Sequence, residues 1–286
     1  MAGAAKKWFI GCGIGCGLFL LILGGIGTVS YLGIKQAVDH GEDIEATFED
    51  LDASYGRAAE FVPAPDGAIS SDRMMVFLSV REALTAERKE AGDILRILDG
   101  QEVDGRSPNF LEKAKAGMQL IPGMMKFVGQ RNQELLDQGM GLGEYAYIYS
   151  LAYYNLLGRD MADGPGFTMS GEDGEDNSGF RWETSEGSNE DTRVEREKQV
   201  RRFLHGIQLS MARNQLAALD SRGDEAGIRD QLEAEIALME NESLRILWET
   251  GMPTALQLSL EPYRDQLEAT YDEMVNALEA GLIKHE

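Results

Sequence analysis

The chain has 286 residues, with 49 acidic against 27 basic side chains and a net charge of −22. That balance excludes nucleic acid as a partner, because phosphates need a basic surface, and it excludes charge-driven adhesion of the body to anionic lipid. Two cysteines, Cys12 and Cys16, exclude a disulfide framework, and the length allows one large or two small cores.

The chain opens with a short tail, residues 1–7, ending in Lys6 and Lys7. Residues 8–34, WFIGCGIGCGLFLLILGGIGTVSYLGI, then carry no charge at all. This run exceeds the roughly 20 residues that cross a bilayer core. A single segment can satisfy its backbone in lipid only as a helix. Lysines before it and acids after it (Asp39, Glu42, Asp43) put the tail in the cytoplasm and residues 35–286 outside. The run is longer than a signal-peptide core, and no Ala-x-Ala site follows it. The expected location is the bacterial inner (plasma) membrane, single-pass, with residues 35–286 periplasmic or extracellular. The lipid bilayer is thus the first expected partner. Gly11/Gly15 and Gly13/Gly17 have small-xxx-small spacing, which lets membrane helices approach closely, so they are the expected association face. Cys12 and Cys16 read as small packing residues on the same helix.

Residues 35–60 read as a helical stalk, with Ile44, Phe48, Leu51 and Tyr55 at helical spacing. FVPAPDGAIS (61–70) is a linker, and residues 61–286 form the exported domain. Ser70 starts a helix to about Leu98, and Ser107-Pro108 an N-cap and first turn for the next, with a kink or break expected at Pro122-Gly123. Residues 142–157, LGEYAYIYSLAYYNLL, have no polar face and predict a buried helix. Tyr145, Tyr149 and Tyr153 share one side of it. They are core tyrosines or the wall of a ligand site, and each buried hydroxyl needs a partner.

Residues 159–191 are acidic, rich in glycine and serine, and read as a disordered loop. Phe180 and Trp182 form an apolar island in it that either docks on the body or anchors a partner. The run Asp173 to Gly179 is a poor match to a calcium loop, with Ser178 where glycine is required and Thr184 where glutamate is required. Thr192-x-x-Glu195 is a capping box for a helix to about Leu219, whose basic first turns face the acidic loop. Helices follow over 224–240 and from Asn241 through Trp248. A last helical section runs from Gly251 to the C-terminus with a kink at Pro262. No alternating strand pattern appears. The expected fold is all-α: one transmembrane helix followed by an irregular bundle of about eight helices.

The three histidines have no metal-ligand spacing, and no nucleophile motif or phosphate loop is present. Gly139-x-Gly141-x-Gly143 follows a helix and reads as its C-cap and turn. Neither a cofactor, a metal nor a catalytic residue is expected.

The glycine-rich anchor, RMMVFLSVRE (73–82), GEYAYIYSLAYYNLLG (143–158) and LEPYRDQLEATYDEMVNALE (260–279) together resemble uncharacterised bacterial proteins with one N-terminal membrane helix and an exported helical domain. The resemblance implies that architecture and no activity. The expected function is a membrane-anchored scaffold or interaction protein of the cell envelope, partnered by other envelope proteins or by itself. The alternative is a binding module for a small apolar or lipid-like ligand around residues 143–157.

Overall fold

The computed structural model describes residues 44–166, 169–171, 180–182, 189–222 and 227–281. The anchor 8–34 and its glycines lie outside them, as does the calcium-loop-like run 173–179. Among the described residues, no helix is long and apolar enough to cross a membrane. The described part is all-helical apart from one ribbon of two short strands, and one contiguous hydrophobic cluster runs through it.

The first helix, α1, covers 44–55. It was expected as a stalk, but Phe48 and Leu51 are buried in the core and Thr47 takes a hydrogen bond from Asn132, 3.1 Å. The apolar row is what decides this, since a free stalk would leave it in water. α2 (Ser71–Ala83) starts where Ser70 accepts a bond from the Arg73 amide. α3 (Thr85–Asp99) follows after one residue and ends at Gly100, whose φ of 81° suits a residue without Cβ.

α4 (Phe110–Gln138) is capped by Asn109, two residues later than Ser107. Asn109 Oδ1 accepts from the Leu111 and Glu112 amides at 2.9 and 3.0 Å, and Glu112 returns a bond to the Asn109 amide. This reciprocal box outcompetes Ser107-Pro108. The helix passes Pro122 without a break. Its antiparallel contact with α3 is close: a methyl on Gly123 would come within 2.8 Å of Ile94, and one on Gly117 within 4.0 Å of Leu98. α3 supplies the packing that keeps the proline turn helical.

α5 (Leu142–Ser150) continues directly into a π-helical turn (Leu151–Leu156). A two-stranded antiparallel ribbon pairs β1 (Met169–Gly171) with β2 (Phe180–Trp182), Ser170 opposite Arg181. The Phe180–Trp182 island is therefore part of a local hairpin, which alternation could not announce in strands of three residues. α6 (Asn189–Arg222) begins three residues before Thr192 and crosses the molecule. α7 (Arg229–Asn241) returns beside it, with Arg213 pairing Glu240 and Arg229 pairing Asp220.

The helix expected through Trp248 is absent. Residues 242–250 are turns, and Trp248 has a φ of 61°. The end of the chain is broken into α8 (Thr254–Leu260), a 3-10 turn holding Pro262, α9 (Arg264–Ala269), a second 3-10 turn (Glu273–Val275) and α10 (Asn276–Gly281). The break at Pro262 falls where the ring denies the helix an N–H.

Candidate functional site

The tyrosine helix sits at the centre of the molecule. Tyr145, Tyr149 and Tyr153 are 0%, 2% and 0% exposed, and their rings stack in sequence at 6.1 and 4.6 Å between centroids. Every tyrosine hydroxyl on this helix is satisfied. Tyr145 accepts from Arg81, Tyr147 donates to the Gly67 carbonyl, and Tyr153 bonds Thr270. Tyr149 and Tyr154 both donate to Asn276 Oδ1, at 3.0 and 2.9 Å. Burial raises the pKa of Tyr147, Tyr149 and Tyr154 above that of a free phenol.

Beside the rings lies a buried charge cluster. Arg81 stacks over Tyr149 and Tyr153, its guanidinium carbon 5.3 and 5.0 Å from their centroids. Glu279 accepts from both Arg81 and Arg88, and all three side chains are almost without solvent contact. Two cations share one carboxylate, so burial and the Arg81 charge push Arg88 down to about 10. Arg88 also donates to the Arg81 carbonyl and Arg81 to that of Thr270. The cluster ties α10 to α2 and α3, and it is sealed.

Chemistry open to solvent begins where the tyrosine helix ends. Five-residue backbone spacing, as in Leu157 N–H to Ala152 C=O at 3.0 Å, marks the π-turn, and such turns recur at functional sites. Gly158 then turns the chain with a φ of 62°. Beyond it is a cavity of about 230 Å³, lined among others by Tyr154, Asn155, Arg159, Arg201, Glu197 and Glu249. Its opposite wall is the 242–250 turn that carries the positive-φ Trp248, a conformation that costs a bulky residue energy. Asn155 bridges the two walls through Nδ2 to the Leu247 carbonyl, 3.1 Å.

Two polar atoms at this cavity are buried and unpartnered: Asn155 Oδ1, an acceptor, and Arg159 Nε–H, a donor. The Arg159 guanidinium lies over the Tyr271 ring at 5.0 Å and, among the described residues, pairs with no carboxylate. Arg201 differs. It holds Glu197 at 2.7 Å and Glu249 at 2.8 Å, and although burial opposes its charge, these bonds raise its pKa. Asp163 takes the Tyr271 hydroxyl at 2.7 Å, and burial with that bond raises the Tyr271 pKa. Arg193 pairs with Asp160, and Arg196 donates to the carbonyls of Ala162 and Pro165, so the basic start of α6 fastens the beginning of the 159–191 loop. Among the described residues, no group of three His, Cys, Asp or Glu is arranged to hold a metal.

Of the residues singled out in the sequence, Tyr145, Tyr149 and Tyr153 come together in the core, Phe180 and Trp182 lie in β2, and Gly11, Gly13, Gly15 and Gly17 fall outside the described residues. Asn155, Arg159, Arg201 and Glu249 were not singled out. One signal pointed to part of this set: Gly158-Arg159 directly follows the longest apolar stretch of residues 35–286. Nothing in the sequence announces the π-turn or the Trp248 backbone. No family model matches the chain, and no curated protein or solved structure matches it either.

Proposed function

We propose that this chain is a membrane-tethered, extracytoplasmic helical interaction protein of the bacterial cell envelope that binds a small polar ligand beyond the π-turn. Residues 8–34 provide the tether in this reading, with the body outside the cytoplasm. Their uncharged length and the flanking charges support it. The resemblance to uncharacterised bacterial proteins with one N-terminal membrane helix and an exported helical domain points the same way.

The observation that carries the ligand half is the pairing of Arg159 Nε and Asn155 Oδ1 at one cavity, each buried and each without a protein partner. Leaving such groups bare costs about 1–3 kcal/mol each. A ligand or ordered water that completes both recovers that cost. The cavity's about 230 Å³ corresponds to about eight waters at roughly 30 Å³ each. A small zwitterion fits the chemistry: a carboxylate for Arg159, and an ammonium donating to Asn155 with Glu197 and Glu249 nearby. The tyrosine rings suit an apolar ligand less, since their hydroxyls are spent on the protein itself.

The test is isothermal titration of the detergent-solubilised full chain with a panel of α-amino acids. One or more should bind with unit stoichiometry, and Arg159→Gln should weaken binding by about 10- to 100-fold, the value of a charged hydrogen bond. No binder in the panel, or a binder indifferent to Arg159→Gln, overturns the ligand assignment. The tether is read separately. The chain should stay in the membrane fraction after an alkaline wash, and its release would overturn that half.

A further inference from the structure

The start of α4 turns an apolar face to solvent. Phe110 and Leu111 are 85% and 76% exposed, the two most exposed large apolar side chains among the described residues, and Met118 is 58% exposed. With about 100° of turn per residue, Phe110, Leu111, Met118 and the exposed Ala114 share one side of the helix, while Ala116 and Leu120 hold the other side in the core. Lys113 and Lys115, both exposed, stand on the two edges of this apolar strip. An apolar strip between lysine rims is the pattern of a helix that lies in a lipid interface, with its apolar side sunk roughly 5–10 Å into the headgroup boundary.

Two further observations name the occupant. The first is charge. Across the whole chain acidic residues outnumber basic ones 49 to 27. Residues 101–130 reverse that balance: three acids, Glu102, Asp104 and Glu112, stand against four bases, Arg106, Lys113, Lys115 and Lys126, and Glu112 is held by Arg106 at 2.5 Å. An acidic body is repelled by anionic headgroups, and along this stretch the repulsion is lifted. The second is the place where the chain enters the body. Ile44, the first residue of α1, lies against Gly129 of α4; Thr47 takes a bond from Asn132, and Tyr55 lies against Gly139 and Gly141. α1 therefore runs parallel to α4, and its first residue points back toward Phe110. The ten residues that lead from the end of the uncharged run at Ile34 to Ile44 span at most about 33–36 Å. Met118 and Phe110 stand 11 and 19 residues before Gly129 on α4, about 16 and 28 Å along the helix. A bilayer that holds residues 8–34 is thus within reach of the strip, at the same end of the body.

We propose that this strip is a second membrane contact: Phe110, Leu111 and Met118 sink into the interface of the bilayer that carries the tether, and Lys113 and Lys115 extend to its headgroups. The proposal rests on the tether reading, because the tether sets which end of the body meets lipid. The net charge of the chain does not oppose it, since burial of the apolar side chains drives the insertion and neutral headgroups suffice. The lysine stems lie along the apolar strip while their ammonium groups stay in water. Held at the tether and at the strip, the body lies against the membrane instead of standing off it.

Nitroxide quenching in vesicles tests it. The full chain with Cys12→Ala and Cys16→Ala receives one further change, Leu111→Cys, Met118→Cys or Leu258→Cys, is labelled there with an environment-sensitive dye and is reconstituted into phosphatidylcholine vesicles. All three side chains are exposed, so the changes leave the core intact. Leu258 is the control: Ser259 beside it accepts from the Ile69 amide, and Arg73 of α2 bonds the Gly139 carbonyl, so α8 lies toward the far end of α4. Flotation of the vesicles reads the tether, and nitroxide-labelled phosphatidylcholine reads the strip. Labels at positions 111 and 118 should lose most of their emission to the nitroxide lipid, and the label at 258 should keep its emission. Adding Phe110→Glu and Leu111→Glu should restore the emission at 118; quenching that survives both changes would mean nearness without insertion and overturns the proposal. A chain that floats while positions 111 and 118 stay bright overturns the contact and leaves the tether standing, and a chain that does not float overturns both. In the bright case, interchain disulfides of unlabelled Met118→Cys would make a second copy the occupant, and shielding from iodide without them would make it another part of this chain.

Discussion

Glu279 carries the largest single-residue consequence. It is 2% exposed and is the carboxylate partner of both Arg81 and Arg88. Glu279→Gln keeps the shape and removes the charge, leaving two buried cations uncompensated. Breaking a buried pair by removing one partner costs about 3–5 kcal/mol, and urea unfolding should show a loss of that size. A loss under about 1 kcal/mol would mean that the tyrosine rings alone carry the arginines. At the cavity, Gly158→Ala should cost about 1 kcal/mol, because its φ of 62° is strained for any residue with a Cβ. The same substitution should lower amino-acid affinity, since Gly158 lines the cavity. At this scale the sequence was partly legible. The tyrosine helix announced its burial through having no polar face, and the demand that its hydroxyls find partners is met one by one. The partners themselves, Asn276, Thr270 and Arg81, are far away in the chain and carry no local mark.

At the scale of elements, hydrophobic periodicity located the helices and failed at their ends and irregularities. Ser107-Pro108 looks like a helix start, yet Asn109 with Glu112 makes the better box and takes the role. Leu244, Ile246, Leu247 and Trp248 look like a helix and are turns. Glu235 explains the second case. It accepts from the Trp248 amide at 2.9 Å and pairs with buried Arg245 at 3.1 Å, so side-chain bonds replace the helical ladder. Pro122 shows tertiary packing prevailing over propensity. α4 stays helical through it because α3 packs closely on the adjoining turns. A proline inside a helix still forfeits one backbone bond and crowds the preceding turn, a cost of about 3 kcal/mol relative to alanine. Pro122→Ala should therefore stabilise the chain by about 1–3 kcal/mol, measured as a shift in urea midpoint with an unchanged slope. An unchanged midpoint would mean that the α3 contact has already absorbed the strain.

For the molecule as a whole, the concentration of buried tyrosines fixes the alkaline limit of stability. Tyr147, Tyr149, Tyr154 and Tyr271 hold pKa values above the ordinary 10.0, with burial as the leading cause in each. Their unfolded counterparts release protons near pH 10, whereas the native groups keep theirs. The unfolded state then binds fewer protons, and stability falls as pH rises from about 10. Arg88 and Arg131 work in the opposite sense. Burial lowers both to about 10 from 12.5, so the native state sheds those protons first and gains stability across that interval. Burial lowers Arg196 as well, and four tyrosines outweigh three arginines. The measurable outcome is a cooperative loss of helix above pH 10 in which tyrosinate absorbance appears together with unfolding. Gradual tyrosinate formation in a still-helical protein would contradict it. The all-α class of the described residues was readable from composition and period at this scale. The closing of the bundle by α10 was not, because it depends on ion pairs between residues nearly two hundred positions apart.

That last distance bears on the order in which the chain can mature. Arg81 and Glu279 are separated by 198 positions. A chain made from its N-terminus presents Arg81, Arg88 and the tyrosine stack long before their counter-ion arrives. Until α10 emerges, the centre of the bundle holds two cations with nothing to neutralise them, and long-range contacts of this kind form late. Placing the closing charge at the far end of the chain keeps the centre of the domain from setting until its last helix is present.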